Sequence, residues 1–240
     1  MRSTLQAEID QNLQDPEGSC YSFVCRGIVG DAIIPKNVCI RFIECTFNGI
    51  TAEGNNILNF DNCTFTKDGN YYFTDGVVNI NNCRIKQDIT ASSCKVYISN
   101  CEEEILGQIK LDNNSYGKSH QNRFNSENTS FTIENYSKLE SYADSFSNNN
   151  KEIFVVKTKS YVKLSEASFS STAELCFIDD SSEIQIYNLN LFIGQPNKAF
   201  ANISNKSILK IHTIGKLDIK SSAIILNNST CYLNNITDVL

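Results

Sequence analysis

A chain of 240 residues with formal net charge −6, ten cysteines and no tryptophan is long enough for one large domain or two small ones. Its acids are scattered rather than gathered in a tail, and no basic block is present to track phosphates, which argues against a nucleic-acid partner. The opening MRSTLQAEID has no apolar h-region, and nowhere do about 18 apolar residues run together, so neither a signal peptide nor a membrane insertion is expected.

Residues 3–14, STLQAEIDQNLQ, have the pattern of a short amphipathic helix. Ser3 and Gln6 fit a capping box, and Leu5, Ile9 and Leu13 share one face. The turn cluster Asp15-Pro16-Glu17-Gly18 ends it. This reading assigns residues 1–20 to a capping helix and turn, covering the open first edge of a single domain over residues 21–240. The competing reading has the helix dock onto a partner.

From residue 21 one design recurs. Ile40/Phe42/Cys45/Phe47, Leu58/Phe60/Cys63/Phe65, Val78/Ile80/Cys83/Ile85 and Val96/Ile98/Cys101 each alternate inward and outward, pause for two polar residues, and resume at a cysteine. Their starts lie 18, 20 and 18 residues apart. Alternation by two marks strands, and a period near ~20 that cannot bury its own apolar side marks a solenoid. The polar pair ends in Asn62, Asn82 and Asn100, a residue that accepts the left-handed conformation of a tight bend and can stack its amide from coil to coil. Phe23/Cys25, Arg26-Gly27 and Ile28 carry the same design with glycine at the bend.

Loops are expected at Asn48-Gly49, Lys67 to Asn70 and Asp88 to Ser93. After Cys101 the design continues as Phe131/Ile133/Tyr136 with its bend at Asn135, Val162/Leu164/Ala167/Phe169 at Glu166, and Ile184/Ile186/Leu189/Leu191 at Asn188. Leu209/Ile211/Ile214, bending at Thr213, and Cys231/Leu233/Ile236, bending at Asn235, complete it. Ile109/Leu111/Asn114/Tyr116 follows Val96 too closely to open a coil and fits a side strand of the preceding one. Ser145 to Asn150 reads as a solvated loop. About ten coils at the ~4.8 Å strand spacing make a rod on the order of 50 Å long. The chain stops directly after the last coil, which leads to the expectation that a partner, a second copy or a returning strand covers that end.

Without a signal peptide the cysteines are expected to be free thiols, and Cys45, Cys63, Cys83 and Cys101 to form an inward file of small hydrophobes. No CxxC pair occurs, and His120 and His212 lie far from this file, so no metal and no cofactor is expected.

The repeated apolar-x-apolar-x-Asn-Cys-x-Phe string resembles the right-handed parallel β-helix of the pectin-lyase-like superfamily over about residues 21–238. The resemblance implies an all-β, single-stranded right-handed parallel β-helix with a short N-terminal helix. Members include polysaccharide lyases and hydrolases, and many phage and virus tail, spike and baseplate proteins. The polygalacturonase-like members carry Asn-Thr-Asp, Asp-Asp, Gly-His-Gly and Arg-Ile-Lys in that order. Here Arg84-Ile85-Lys86 precedes Asp179-Asp180, and neither an Asn-Thr-Asp nor a Gly-His-Gly occurs. The dense acidic run Glu102-Glu103-Glu104 alternates faces on a strand and does not make a lyase-type calcium site, although Glu103 falls where the design wants an inward apolar residue.

The expectation is therefore a non-enzymatic structural or attachment protein with no catalytic residues, most in keeping with a phage or virus particle assembled in the host cytoplasm. Its expected partners are other structural proteins at the C-terminal end of the rod, with a homo-oligomer, a trimer by resemblance, and a glycan as further partners. The alternatives are a polysaccharide-binding or polysaccharide-degrading β-helix and an intracellular scaffold.

Overall fold

The computed structural model describes residues 4–13, 21–101, 103, 105–147, 150–172, 174–194, 199–218 and 224–234. After the helix α1 (Thr4–Asn12), every described element is a strand. The strands form three long parallel faces wound into a solenoid. The first face has eleven strands, running from Tyr21–Arg26 through Val38–Ile43, Ile57–Asp61, Val77–Asn81, Lys95–Ser99, Tyr116–His120, Lys138–Tyr142, Tyr161–Ser165, Glu183–Tyr187 and Ile208–Ile211 to Thr230–Leu233. A second face carries, among others, Ile89–Ser92, Ile109–Asp112, Phe131–Ile133, Glu152–Val156 and Glu174–Ile178. The third runs from Arg123–Phe124 through Ser145–Ser147, Ser168–Thr172 and Leu189–Gly194 to Ile214–Asp218. The strand Thr46–Ala52 bends at Asn48, so that its two halves belong to neighbouring faces.

Between Val38–Ile43 and Ile208–Ile211 the chain makes about eight closed turns, rather than the ten expected. The remaining windings are terminal. The first lies under α1, and in the last the inward-register residues Leu226 and Leu233 are 51% and 39% exposed.

Two corners per turn carry left-handed residues. Between the first and third faces these are Gly27, Glu44, Asn62, Asn82, Asn100, Gln121, Ala143, Glu166 and Asn188, with φ of 51 to 65°. Between the second and first faces they include Asn37, Asp75, Ser93, Asn135 and Asn228. Side chains other than Asn and Gly pay a steric cost there, but the corner backbone keeps its hydrogen bonds. Glu44 N donates to Asp61 O at 2.9 Å, Gln121 N to Tyr142 O at 3.0 Å, and Ala143 N to Ser165 O at 2.9 Å. The ladder therefore runs unbroken round the bend, and asparagine is favoured rather than required.

Just inside the corners, over much of the rod, a backbone N–H finds an acceptor on a side chain of the next coil. Cys63 N donates to Cys83 Sγ at 3.2 Å and Cys83 N to Cys101 Sγ at 3.4 Å. The same file then changes chemistry: Cys101 N donates to Asn122 Oδ1 at 2.9 Å, and Asn122 N to Asp144 Oδ1 at 2.8 Å. At the other corner a serine file does the same work. Cys94 N donates to Ser115 Oγ, Ser115 N to Ser137 Oγ, Ser137 N to Ser160 Oγ, Ser160 N to Ser182 Oγ, and Ser182 N to Ser207 Oγ, at 3.0 to 3.2 Å. Each of these serines is at most 2% exposed; the Ser115 and Ser137 N–H groups also reach Asp112 O and Glu134 O, at 3.2 and 3.3 Å, but those of Cys94, Ser160 and Ser182 would be buried unpaired without the next coil's hydroxyl.

Apolar files fill the remaining interior. Phe124, Phe146 and Phe169 stack with centroids 5.0 Å apart, and Phe131 stacks on Phe154 at 5.8 Å. The thiols of Cys45, Cys63, Cys83 and Cys101 are free and at most 1% exposed. The asparagine file runs outside this wall: Asn82 Nδ2 donates to Asn62 Oδ1 at 2.6 Å and Asn79 Nδ2 to Asn59 Oδ1 at 2.9 Å.

The N-terminal helix is the expected cap, and its first residue, Thr4, sits beside Ser3, which lies outside the described residues. The capping box expected of Ser3 and Gln6 therefore falls partly outside the described residues, and what is seen of Gln6 is its contact with the first coil. Its side chain mimics a neighbouring strand, with Oε1 accepting from Ile33 N at 2.6 Å and Nε2 donating to Ile33 O at 3.2 Å. Thr4 Oγ1 donates to Val29 O at 3.0 Å, and Leu5 and Ile9 are fully buried on the first coil. The edge that would otherwise invite pairing is thereby occupied.

Several later assignments are corrected. Phe131–Ile133 belongs to the second face, and the first-face strand of that winding is Lys138–Tyr142. Ser145–Ser147 is a strand that buries Phe146, not a loop. Asn48-Gly49 is a bulged corner within a strand. Tyr116 opens a new first-face strand, while Ile109–Asp112 is the side strand of the preceding coil, as its spacing implied. Thr213 is not left-handed among the described residues, and Asn235 and Ile236 lie outside them.

Removing one acceptor should expose this dependence. Ser182→Ala strands the Ser160 N–H and is expected to destabilise by ~1–3 kcal/mol, whereas Ser99→Ala, outward on the first face, should cost far less. Equal urea midpoints for the two variants would contradict the serine file.

Candidate functional site, an outward face of tyrosine and lysine

Alternation on the first face sends every second side chain outward, and successive coils place these in register. From Lys95 onward the outward columns are aromatic and basic: Tyr116, Lys138, Tyr161 and Glu183 are neighbours in one, and Lys118, Glu140, Lys163, Gln185 and Lys210 in the next. Lys138 Nζ lies 5.8 Å from the Tyr116 ring centroid and 5.5 Å from that of Tyr161, bridging the two, and Lys163 Nζ lies 5.4 Å from that of Tyr187. His120 stacks on Tyr142 at 5.4 Å and His212 on Tyr187 at 4.3 Å.

Electrostatics tie the columns together. Lys138 pairs with Glu140 at 2.9 Å and, with the Tyr116 hydroxyl donating at 3.0 Å, lowers the Glu140 carboxyl below its usual range. Desolvation and the bond to Glu140 push Tyr116 up to about 12. A cleft of about 320 Å³ opens across this face, lined by Lys118, His120, Glu140, Tyr142 and Lys163, with Ser119 and Ser141 at its floor.

Beneath that floor is a polar island in the core. Ser141 Oγ donates to Asp144 Oδ2 at 2.6 Å, Asn122 Nδ2 donates to Ser119 Oγ at 2.9 Å, and Asp144 is 1% exposed. Burial raises the Asp144 pKa to about 6, partly offset by the donors Ser119, Ser141 and Asn122. A larger cleft of about 720 Å³ lies along the corner between the third and second faces. Lys67, Lys86, Asp88, Asn125, Glu127 and Asn128 line it, and Gly107 brings two coils so close there that a Cβ would collide with the Gln87 carbonyl.

The residues singled out in sequence take structural places. Asp179 accepts from Ser204 Oγ at 2.8 Å, Asn205 Nδ2 at 2.6 Å and Asp180 N at 2.9 Å; burial would raise its pKa, but these donors lower it. Asp180 is a left-handed corner residue with φ of 55°. Glu103 is exposed and paired with Arg84, while Ile105 is fully buried and bridges to Phe124. Glu102 and Glu104 lie outside the described residues. Among the described residues, no group of three or more His, Cys, Asp or Glu is gathered to hold a metal. Burial pushes the Cys101 thiol up to about 11, away from reactivity.

Sequence reasoning missed the aromatic and basic face because two of its coils lack the apolar signature, with Gly117, Ser119 and Ser141 at inward positions. The signal was nevertheless present as alternating Tyr and Lys in YGKSH and YVKLS. Comparison of the chain with family models, with curated proteins and with solved structures finds no match.

Asp144 gives a pH prediction. Its folded pKa lies above the ordinary carboxylate value of 3.8, so the folded state holds the proton more tightly than the unfolded chain does. Its stabilising contribution is full below the unfolded pKa and is lost as pH rises through about 6. Asp144→Asn keeps an acceptor for Asn122 N without a buried charge. It is expected to be more stable than the parent at pH ~8, by up to ~3 kcal/mol, with the difference shrinking toward pH ~4. Urea titrations at the two pH values measure this, and a difference of the same size at both would remove the pH linkage.

Proposed function

We propose that this chain is a non-enzymatic structural or attachment element, a rigid parallel β-solenoid that holds fixed outward faces toward other structural proteins. The observation that carries the reading is the pair of inward side-chain-to-backbone files. They pin successive coils from Cys63 to Asp144 at one corner and from Cys94 to Ser207 at the other. Such a body resists shear between coils and keeps its surface columns in register. The setting we favour is that of the non-catalytic β-helices of phage and virus tails, spikes and baseplates, which the Asn62-Cys63-Thr64-Phe65 string and its neighbours Glu44-Cys45-Thr46-Phe47 and Asn82-Cys83-Arg84-Ile85 resemble. Fractionation of the source should find the protein travelling with purified particles, and its recovery only in the free soluble fraction would overturn that setting.

The face of tyrosine and lysine supports a second reading, a β-helix that binds an acidic polysaccharide, because aromatic rings and ammonium groups suit sugar rings bearing carboxylates. Incubation with a panel of pectins, alginates and capsular glycans distinguishes the two. Retention without cleavage would favour glycan binding, and new reducing ends or unsaturated uronates would make the chain an enzyme.

A further inference from the structure

The solenoid segregates charge by face. The outward first face carries Arg26, Arg41, Lys95, Lys118, Lys138, Lys163 and Lys210 against Asp61, Glu140 and Glu183. The outward residues of the second-face strands reverse the balance, with Asp31, Asp112, Glu152 and Glu174 against Lys110. On the second face Glu152 and Glu174 are direct partners in register, which sets two carboxylates in one outward column.

From this we propose that copies of the chain pack side by side, the basic first face of one rod against the acidic second face of the next. The inference rests on the structural reading above and names the partner as a second copy. Charge selects the pairing: first face on first face would oppose Lys118 and Lys163 with lysines, and second on second would oppose carboxylates, whereas the unlike faces attract. Eleven strands at ~4.8 Å and about five residues at ~3.3 Å give a first face of roughly 800 Å², the area one partner contributes to a standard stable interface. Its tyrosines are the residues most enriched in such interfaces, and Tyr142 is 44% exposed. Contact between two unlike faces is heterologous, so it closes into a ring or extends as a filament.

Sedimentation equilibrium on the full chain tests this. At low ionic strength (~0.05 M) the weight-average mass should rise with concentration to about twice the monomer or beyond, and at ~0.5 M salt it should fall back toward the monomer. K118E/K163E alters the first face and E152K/E174K the second, and each alone should stay monomeric. An equimolar mixture should associate, because each variant keeps one native face that fits the other's. Far-ultraviolet circular dichroism confirms folding of both variants, and the salt series on the unaltered chain stands without them. A monomer at every salt concentration, or undiminished association of E152K/E174K alone, would overturn the proposal. So would an acidic protein from the source binding this face while the chain itself stays monomeric. Recovery with particles, the test of the structural reading, is independent of all three results.

Discussion

The structure depends on what happens to the backbone N–H just inside each corner. Along the straight faces the parallel ladders satisfy donor and acceptor automatically, but at a corner the N–H points along the rod axis toward a side chain of the next coil. From Cys63 to Asp144 and from Cys94 to Ser207 a residue there fills interior space and also accepts a hydrogen bond, while Ala167 and Leu189 carry the first file on with apolar side chains alone. Cysteine meets both demands weakly, with N–H to sulfur distances of 3.2 and 3.4 Å, and serine, asparagine and aspartate meet the second better. This explains why the file, built of free cysteines at its start, passes to Asn122 and Asp144 without a break in the fold.

The same constraint accounts for what could be read from the sequence. Four coils with Ile, Leu, Phe and Cys inward announce their period, because each inward position is apolar and each corner carries Asn or another turn residue. The serine file was invisible to that pattern, since a serine between polar neighbours, as in Asn113-Asn114-Ser115-Tyr116, looks like a loop. Only the stacked geometry shows it to be core. Likewise Gly117, Ser119, Ser141 and Asp144 erased the apolar alternation where the interior becomes polar, so two first-face strands were passed over and Phe131–Ile133 was assigned to the wrong face.

That polar island is the least economical part of the core. Asp144 has donors from Asn122 and Ser141, but no cation partner appears among its interactions, and burial of a lone carboxylate is expensive even when it is hydrogen-bonded. Its oxygens nonetheless serve two strands at once, one accepting the Asn122 N–H and the other fixing Ser141 beneath the first-face cleft. The cost is therefore borne at the point where the outward columns of tyrosine and lysine are held from below.

A solenoid converts sequence period into surface period, so any charge repeated at an outward position becomes a column of like charges one strand spacing apart. The first face avoids this by alternation: Tyr116, Lys138, Tyr161 and Glu183 in one column, and Lys118, Glu140, Lys163 and Gln185 in the next, put an aromatic, neutral or opposite charge between lysines. Cation–π and ion-pair contacts then come from register alone. Alternation within a column needs only the isolated rod to explain it. A net imbalance across the whole face, matched by the opposite imbalance on the adjoining face, is not needed for the stability of one rod, which would be served as well by neutral columns.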